Sequence, residues 1–369
     1  MSDYSDIDLE NVHILSNEEL QILFKDQNNS HLAPKPSNTD NSNFSNSEYS
    51  GSKLFQMEHN EIPKLVDPIF QKVGLASLVG SSDLGKSTFL RQLILHVALG
   101  IPDFIGYKIN ATTNKAIYIS TEDDPASVSS GLKKQINALK RTNSFDISAL
   151  NNIKFIFNAS LSGEDNIYSI LQHDLQNIGA DIVVFDAFTD IFSGDLNSST
   201  KVREFLNSFN KLALKHNCLF VFLHHTGKRT SNVAASKDNV LGSQAFEAKM
   251  RVLLELKAHH LETNKRTLHI TKANYLSSKI KTTAKILSFN ENDLLFEKLA
   301  ELPNTSLSMQ SKNNQKVNSE ISEKVVQLYS QGNSYRKIEE ILKSEGFKIS
   351  KSTIGQIIKQ NSQKTPNII

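Results

Sequence analysis

One nine-residue stretch limits most of what this chain can fold into. Gly80-Ser81-Ser82-Asp83-Leu84-Gly85-Lys86-Ser87-Thr88 has the full G-x-x-x-x-G-K-[ST] spacing. The residues before it, Ala76 to Val79, form a short apolar run. After it Phe89, Leu90, Leu93, Ile94, Val97 and Ala98 recur at helical spacing. Strand, loop and helix in that order make a phosphate cradle. The glycines let backbone N–H groups turn inward around the α- and β-phosphates, and the positive end of the following helix adds to that field. Lys86 is placed to meet the β- and γ-phosphate oxygens, and Ser87, with Thr88 as the alternative, to offer a hydroxyl to Mg²⁺. The expected ligands are ATP and Mg²⁺, bound by residues 80 to 88.

The rest of the chain divides by composition. From about Asp26 to Lys53 the sequence is rich in Asn, Ser and other small polar residues, which cannot bury enough apolar area to offset the entropy of ordering. It reads as a linker. Upstream, Ser16-Asn17-Glu18-Glu19 has capping-box spacing ahead of Leu20, Ile22, Leu23 and Phe24, so a short helix is expected there. Residues 1–60 are thus assigned to a mostly disordered segment with one short helix. Residues 61–300 form the main domain, 301–318 a second Ser/Asn/Gln-rich linker, and 319–369 a small helical domain. The net charge is only +2, but residues 301–369 carry an excess of basic side chains, so the tail is the part suited to polyanions. A single cysteine, Cys218, excludes an internal disulfide framework, and its apolar surroundings predict that it is buried. With no apolar run of about 18 residues and no signal-peptide pattern, a cytoplasmic location away from membranes is expected.

Within the main domain, short β-branched or aromatic runs alternate with helical periods, the pattern of a mainly parallel, twisted α/β sheet. The expected strands are Ala76 to Gly80, Ala116 to Ser120, Ile153 to Phe157, Ile182 to Asp186 and Leu219 to Leu223. Val202, Phe205, Leu206, Phe209, Leu212 and Ala213 supply a crossover helix between the last two. Val252 to Leu256, Thr267 to Thr271 and the pair around Ile286 and Leu295 are spaced for antiparallel additions.

Three further clusters fall at expected strand ends. Asp186 closes Ile182-Val183-Val184-Phe185 and would emerge beside the phosphate loop, where it can hold the Mg²⁺ shell. Glu122, in Ser120-Thr121-Glu122-Asp123-Asp124, would reach the same edge and can polarise an attacking water. Asp123 and Asp124 compete for that role, and all three could instead favour the N-terminus of the next helix. The third cluster is Phe222-Leu223-His224-His225-Thr226-Gly227-Lys228-Arg229. Adjacent residues on a strand point to opposite faces and no partner ligands accompany the two histidines, so zinc is disfavoured and one histidine is free to sense the γ-phosphate.

In this order the clusters resemble the RepA-like hexameric replicative helicases of plasmids and mobile elements, within the RecA/DnaB-like ATPase superfamily. The resemblance covers roughly residues 65 to 275. It implies a RecA-like P-loop core with Glu122 activating water, Asp186 binding Mg²⁺ and His225 reading the γ-phosphate. Gly242-Ser243-Gln244-Ala245-Phe246 followed by Arg251 also matches, and it implies an arginine finger, Arg251, acting on the neighbouring subunit's ATP in a homo-hexamer or other ring. The family's loops for single-stranded DNA would correspond to Phe188 to Thr200 and Arg229 to Leu241. Lys228, Arg229 and Lys237 are the candidate phosphate contacts there. The first loop departs from a basic pattern, because it holds Asp190 and Asp195 and no cation.

In the tail, Ser334 precedes an amphipathic stretch through Leu342, Gly346 breaks it, and a second helix begins near Lys351. The spacing is that of a helix-turn-helix and resembles the small tri-helical units of resolvases and transposon regulators. Lys351, Ser352, Gln356 and Lys359 are the candidate contacts to duplex DNA. The whole predicts an ATP-dependent DNA helicase, or a related DNA-stimulated ATPase, of a plasmid or mobile element. The alternative is a non-translocating, DNA-binding ATPase that regulates replication, partition or transfer.

Overall fold

The computed structural model describes residues 51–57, 61–157, 159, 166–227, 230, 233–242, 244–259, 262–304, 321–345, 347 and 349–362, with the side chains of 356 and 359–362 left aside. The helix expected after Ser16 and most of the expected linkers lie outside these residues. Thirteen strands are present in the described part: β1 Lys64–Asp67, β2 Phe70–Gln71, β3 Gly74–Gly80, β4 Asp103–Phe104, β5 Tyr107–Ile109, β6 Ala116–Ser120, β7 Ile153–Phe157, β8 Ile182–Asp186, β9 Leu219–His225, β10 Val252–Ala258, β11 Lys265–Ala273, β12 Thr283–Asn290 and β13 Leu295–Pro303. The longer helices are α1 Lys86–Ala98, α2 Pro125–Thr142, α3 Ile167–Asn177 and α4 Ser199–Lys215. Three more follow in the tail: α5 over 321–330, α6 Tyr335–Ser344 and α7 Lys351–Ser362.

Nine strands make one sheet in the order β13-β12-β11-β10-β3-β9-β8-β6-β7. The six from β10 to β7 are parallel, and β11, β12 and β13 add antiparallel at the β10 side. A parallel sheet needs cover on both faces, and the sequence supplies it. Ala76, Leu78, Ile182 and Val184 pack with Leu90, Leu93, Ile94 and Val97 of α1. Leu75, Val183 and Phe185 point the other way, onto Leu171 and Leu175 of α3 and Val202, Leu206 and Phe209 of α4. Strand parity therefore sends Asp186 to the α1 face, the same face as Tyr118. Cys218 is fully buried, as its neighbours predict.

Several bounds differ from the sequence reading. Strand β9 continues to His225, β11 spans nine residues, and β13 runs past residue 300 to Pro303. Gly51–Phe55, at the end of the expected linker, is a short helix that leaves Leu54 and Phe55 exposed. A second, four-stranded sheet in the order β2-β1-β5-β4 has no counterpart in the expectations. Its strands are two to four residues long, too short for a periodicity to register.

The tail helices close over their own apolar cluster of Val325, Ile338, Leu342, Ile354 and Ile358. Ser334 caps α6, its hydroxyl accepting from the Lys337 amide at 3.4 Å. Among the described residues, no helix is long and apolar enough to cross a membrane.

Candidate nucleotide-hydrolysis site

The loop between β3 and α1 is held open by backbone geometry. A side chain on Gly80 would meet the Leu256 carbonyl oxygen at 2.5 Å, and Gly85 has φ 83° with Phe296 at 3.0 Å from where a Cβ would sit. Only glycine satisfies both positions. From behind, Arg266 Nε donates to the Leu84 carbonyl at 3.2 Å, and Gln135 Nε2 donates to the Thr88 carbonyl at 3.0 Å. Lys86 is 6% exposed, and its ammonium donates to the Ser81 carbonyl at 2.7 Å. Burial pushes the Lys86 pKa down, while the charges of Glu122, Asp186 and Asp83 oppose that shift.

Ser87 opens α1 and its hydroxyl donates to Asp186 Oδ1 at 3.1 Å. The Tyr118 hydroxyl donates to the other oxygen, Oδ2. Asp186 is 2% exposed, and burial raises its pKa to about 6, against the pull of the Tyr118 and Ser87 hydrogen bonds. Thr88, the alternative to Ser87, is buried and lies 3.5 Å from Arg91 Nη2 instead. The pair of oxygens on Ser87 and Asp186 fits Mg²⁺, a hard cation commonly held by one or two protein oxygens together with substrate phosphates. Among the described residues there is no cluster of three or more His, Cys, Asp or Glu able to hold a metal alone.

The acidic run after β6 is sorted by its partners. Asp124 caps α2, accepting from the amides of Ala126 at 2.7 Å and Ser127 at 3.0 Å. Asp123 pairs with Arg91 at 3.0 Å. Glu122 is left half-exposed, with His225 Nε2 3.7 Å from its Oε1. Thr121 ties this turn to β8, since its amide and its hydroxyl each donate to the Asp186 carbonyl at 2.8 Å. His225 in turn pairs with Gly80 in the β3–β9 register, so it leaves the sheet beside the first residue of the phosphate loop.

His224 points the other way, into the core. It is fully buried, Nε2 lies 2.9 Å from the Leu241 carbonyl, and its ring packs on Phe188 and Phe246. Burial pushes its pKa from 6.5 down to about 4. Between those values the unfolded chain binds a proton that the folded chain does not, so stability is complete above pH 6.5 and falls as pH drops toward 4. The shift corresponds to about 3 kcal/mol. His269 is shifted in the same direction to about 4. Urea midpoints are expected to fall over this pH range, and His224→Gln to remove its share of the slope. An identical pH slope in the variant would contradict the assignment.

The remaining candidates lie apart. Arg251 precedes β10, whose register pairs Val252 with Ala76, so it sits at the opposite edge of the sheet from the phosphate loop. That separation is about 20 Å for a seven-residue strand. Its guanidinium donates to the Tyr275 hydroxyl at 2.9 Å. Lys237 lies 3.8 Å from Glu247. Lys351 and Ser352 are exposed at the start of α7, with Lys351 3.9 Å from Glu339. Lys228 and Arg229, and the side chains of Gln356 and Lys359, lie outside the described residues. Sequence reasoning missed Tyr118, Thr121, Arg91, Gln135 and Arg266. The one signal available was Tyr118 itself, an aromatic hydroxyl in an otherwise apolar strand centre that needs a buried partner.

The glycine-rich loop that ends in Lys86 and Ser87, with Asp186 and Glu122 gathered beside it at the carboxyl edge of a mainly parallel sheet, is that of a P-loop nucleoside triphosphatase. The family described as "AAA domain" matches residues 44–231, and the chain belongs to it. No curated protein matches the chain. Among solved structures, one described as an ATPase domain is similar at 13% identity with a TM-score of 0.49, covering 68% of this chain and 96% of that one.

Proposed function

We propose that the protein is an ATP-dependent DNA motor, a helicase or helicase-related DNA-stimulated ATPase, with shared active sites in a ring. The observation that carries the hydrolytic part is the division of labour at one sheet edge: Glu122 is half-exposed beside His225 while Asp123 and Asp124 are occupied elsewhere. Glu122 takes the proton of the attacking water. Lys86 neutralises charge on the β- and γ-phosphate oxygens, and His225 donates a hydrogen bond to the γ-phosphate. Ser87 and Asp186 would hold Mg²⁺, which would supply positive charge to offset that of the phosphates.

The DNA part rests on what leaves this site. The segment after β9 is bonded to both histidines: Leu241 donates its amide to the His225 carbonyl at 3.0 Å, and its own carbonyl meets His224. A change at the γ-phosphate would therefore be passed to the polar loop that holds Lys237. Arg251, remote from its own site, is free in placement to serve a neighbour's. The tail, through Lys351, Ser352, Gln356 and Lys359, would read duplex DNA.

The regulator reading draws support from one feature. Lys237 already has a carboxylate partner, and the loop after Asp186 offers Asp190 and Asp195 but no cation, so a weak grip on single strands fits a switch better than a motor. One set of measurements separates them. A motor is expected to hydrolyse ATP at least several-fold faster with single-stranded DNA and to displace a strand from a fork. A regulator would bind duplex, in a salt-dependent way lost on truncation after Lys316, without displacing strands. No response to any DNA in either assay would sink both readings.

A further inference from the structure

Asp186 is set up to present one oxygen to the phosphate loop, and the group that sets it up is on a different strand. β6 and β8 are parallel neighbours with Ser120 opposite Asp186 and Tyr118 opposite Val184. Tyr118 is therefore two residues back along the same face as Asp186, a diagonal neighbour within reach of a side chain as long as tyrosine. It is fully buried, its ring packs against Phe155 at 5.6 Å, and its hydroxyl donates to Asp186 Oδ2. The opposite oxygen, Oδ1, faces Ser87 Oγ. The Ser87 carbonyl lies 3.4 Å from the same tyrosine hydroxyl. One phenol thus spans both residues assigned to the metal.

We propose that Tyr118 is the positioning residue of the Mg²⁺ side of the site. By holding Oδ2 it stops the carboxylate rotating about its terminal torsion, which is otherwise broad, and keeps Oδ1 aimed at the phosphate loop. It touches neither nucleotide nor metal; it acts through Asp186. Thr121, just past the end of the same strand, fixes the backbone of Asp186. The run from β6 into its turn therefore delivers Glu122 together with both groups that set the aspartate.

The inference rests on Asp186 being on the metal side, and a double-mutant cycle in the full-length protein tests the two ideas separately. The probe is Mn²⁺, followed by electron paramagnetic resonance with a non-hydrolysable ATP analogue present. Tyr118→Phe keeps the ring and its packing and removes only the hydroxyl. It is expected to weaken Mn²⁺ binding by about 10- to 100-fold, the usual cost of losing a partner that orients a ligand. The Mg²⁺ concentration for half-maximal turnover should rise in step, while binding of the analogue in the presence of a chelator stays as in the wild type. In an Asp186→Asn background, Tyr118→Phe should cause no further loss. Wild-type Mn²⁺ affinity in Tyr118→Phe would overturn the proposal, as would an equal loss in both backgrounds, which would mark a packing effect. Unchanged Mn²⁺ binding in Asp186→Asn alone would overturn the metal assignment beneath it.

Discussion

Replacing Lys86 with alanine is expected to reduce ATP turnover by a factor of about 10² to 10³, the scale seen when a charge-stabilising donor is removed from a reacting centre. The structure makes this lysine hard to replace. It is buried, its ammonium is tethered to the Ser81 carbonyl at 2.7 Å, and Glu122, Asp186 and Asp83 all act on it. Without it the negative charge of those carboxylates and of the incoming phosphates loses its buried ammonium partner. Nucleotide binding should weaken as well, because the repulsion is present before any bond breaks. Phosphate release and binding of a fluorescent ATP analogue check both effects. Wild-type turnover in the variant would place the reactive phosphate elsewhere.

Glu122→Gln is expected to lower turnover by about 10² to 10⁴, the usual contribution of a positioned base, with ATP and Mg²⁺ still bound. The contrast with its neighbours is the informative part. Asp123→Asn should loosen the Arg91 contact and act on thermal stability more than on the chemical step, and Asp124→Asn should change little, because asparagine caps a helix about as well as aspartate. Single-turnover hydrolysis in the three variants settles the order. A collapse confined to Asp123→Asn or Asp124→Asn, with Glu122→Gln active, would reassign the base.

Much of the site was legible before any fold was drawn, because phosphate binding is done by local backbone. Residues 80 to 88 carry their own geometry: two glycines where no Cβ fits, then a lysine and a hydroxyl at the start of a helix. The parallel strands were equally plain. Ala116–Ser120 and Ile182–Asp186, buried on both faces, are written as nearly continuous apolar runs, and they and the edge strand Ile153–Phe157 have the bounds their residues predict. The short strands of the second sheet were not, since two to four residues hold no period.

Roles that depend on which neighbour a side chain finds were out of reach. Three consecutive acids after β6 are chemically near-equivalent on paper. They become a base candidate, an ion-pair partner and a helix cap only because α1 brings Arg91 to the second and α2 starts at the third. Tyr118 and Asp186 stand 68 residues apart and meet because β6 and β8 are paired in one register. Arg251 lies at the far end of the sheet from this chain's own phosphate loop, a placement set by strand direction. The sequence by itself determined that this chain cradles a nucleoside triphosphate and covers a parallel sheet on both sides, since both follow from local backbone freedom and apolar pattern. Tertiary structure alone decided which of the three acids is left half-exposed beside His225 and which hydroxyl holds Asp186, because those outcomes are set by contacts between segments far apart in the chain.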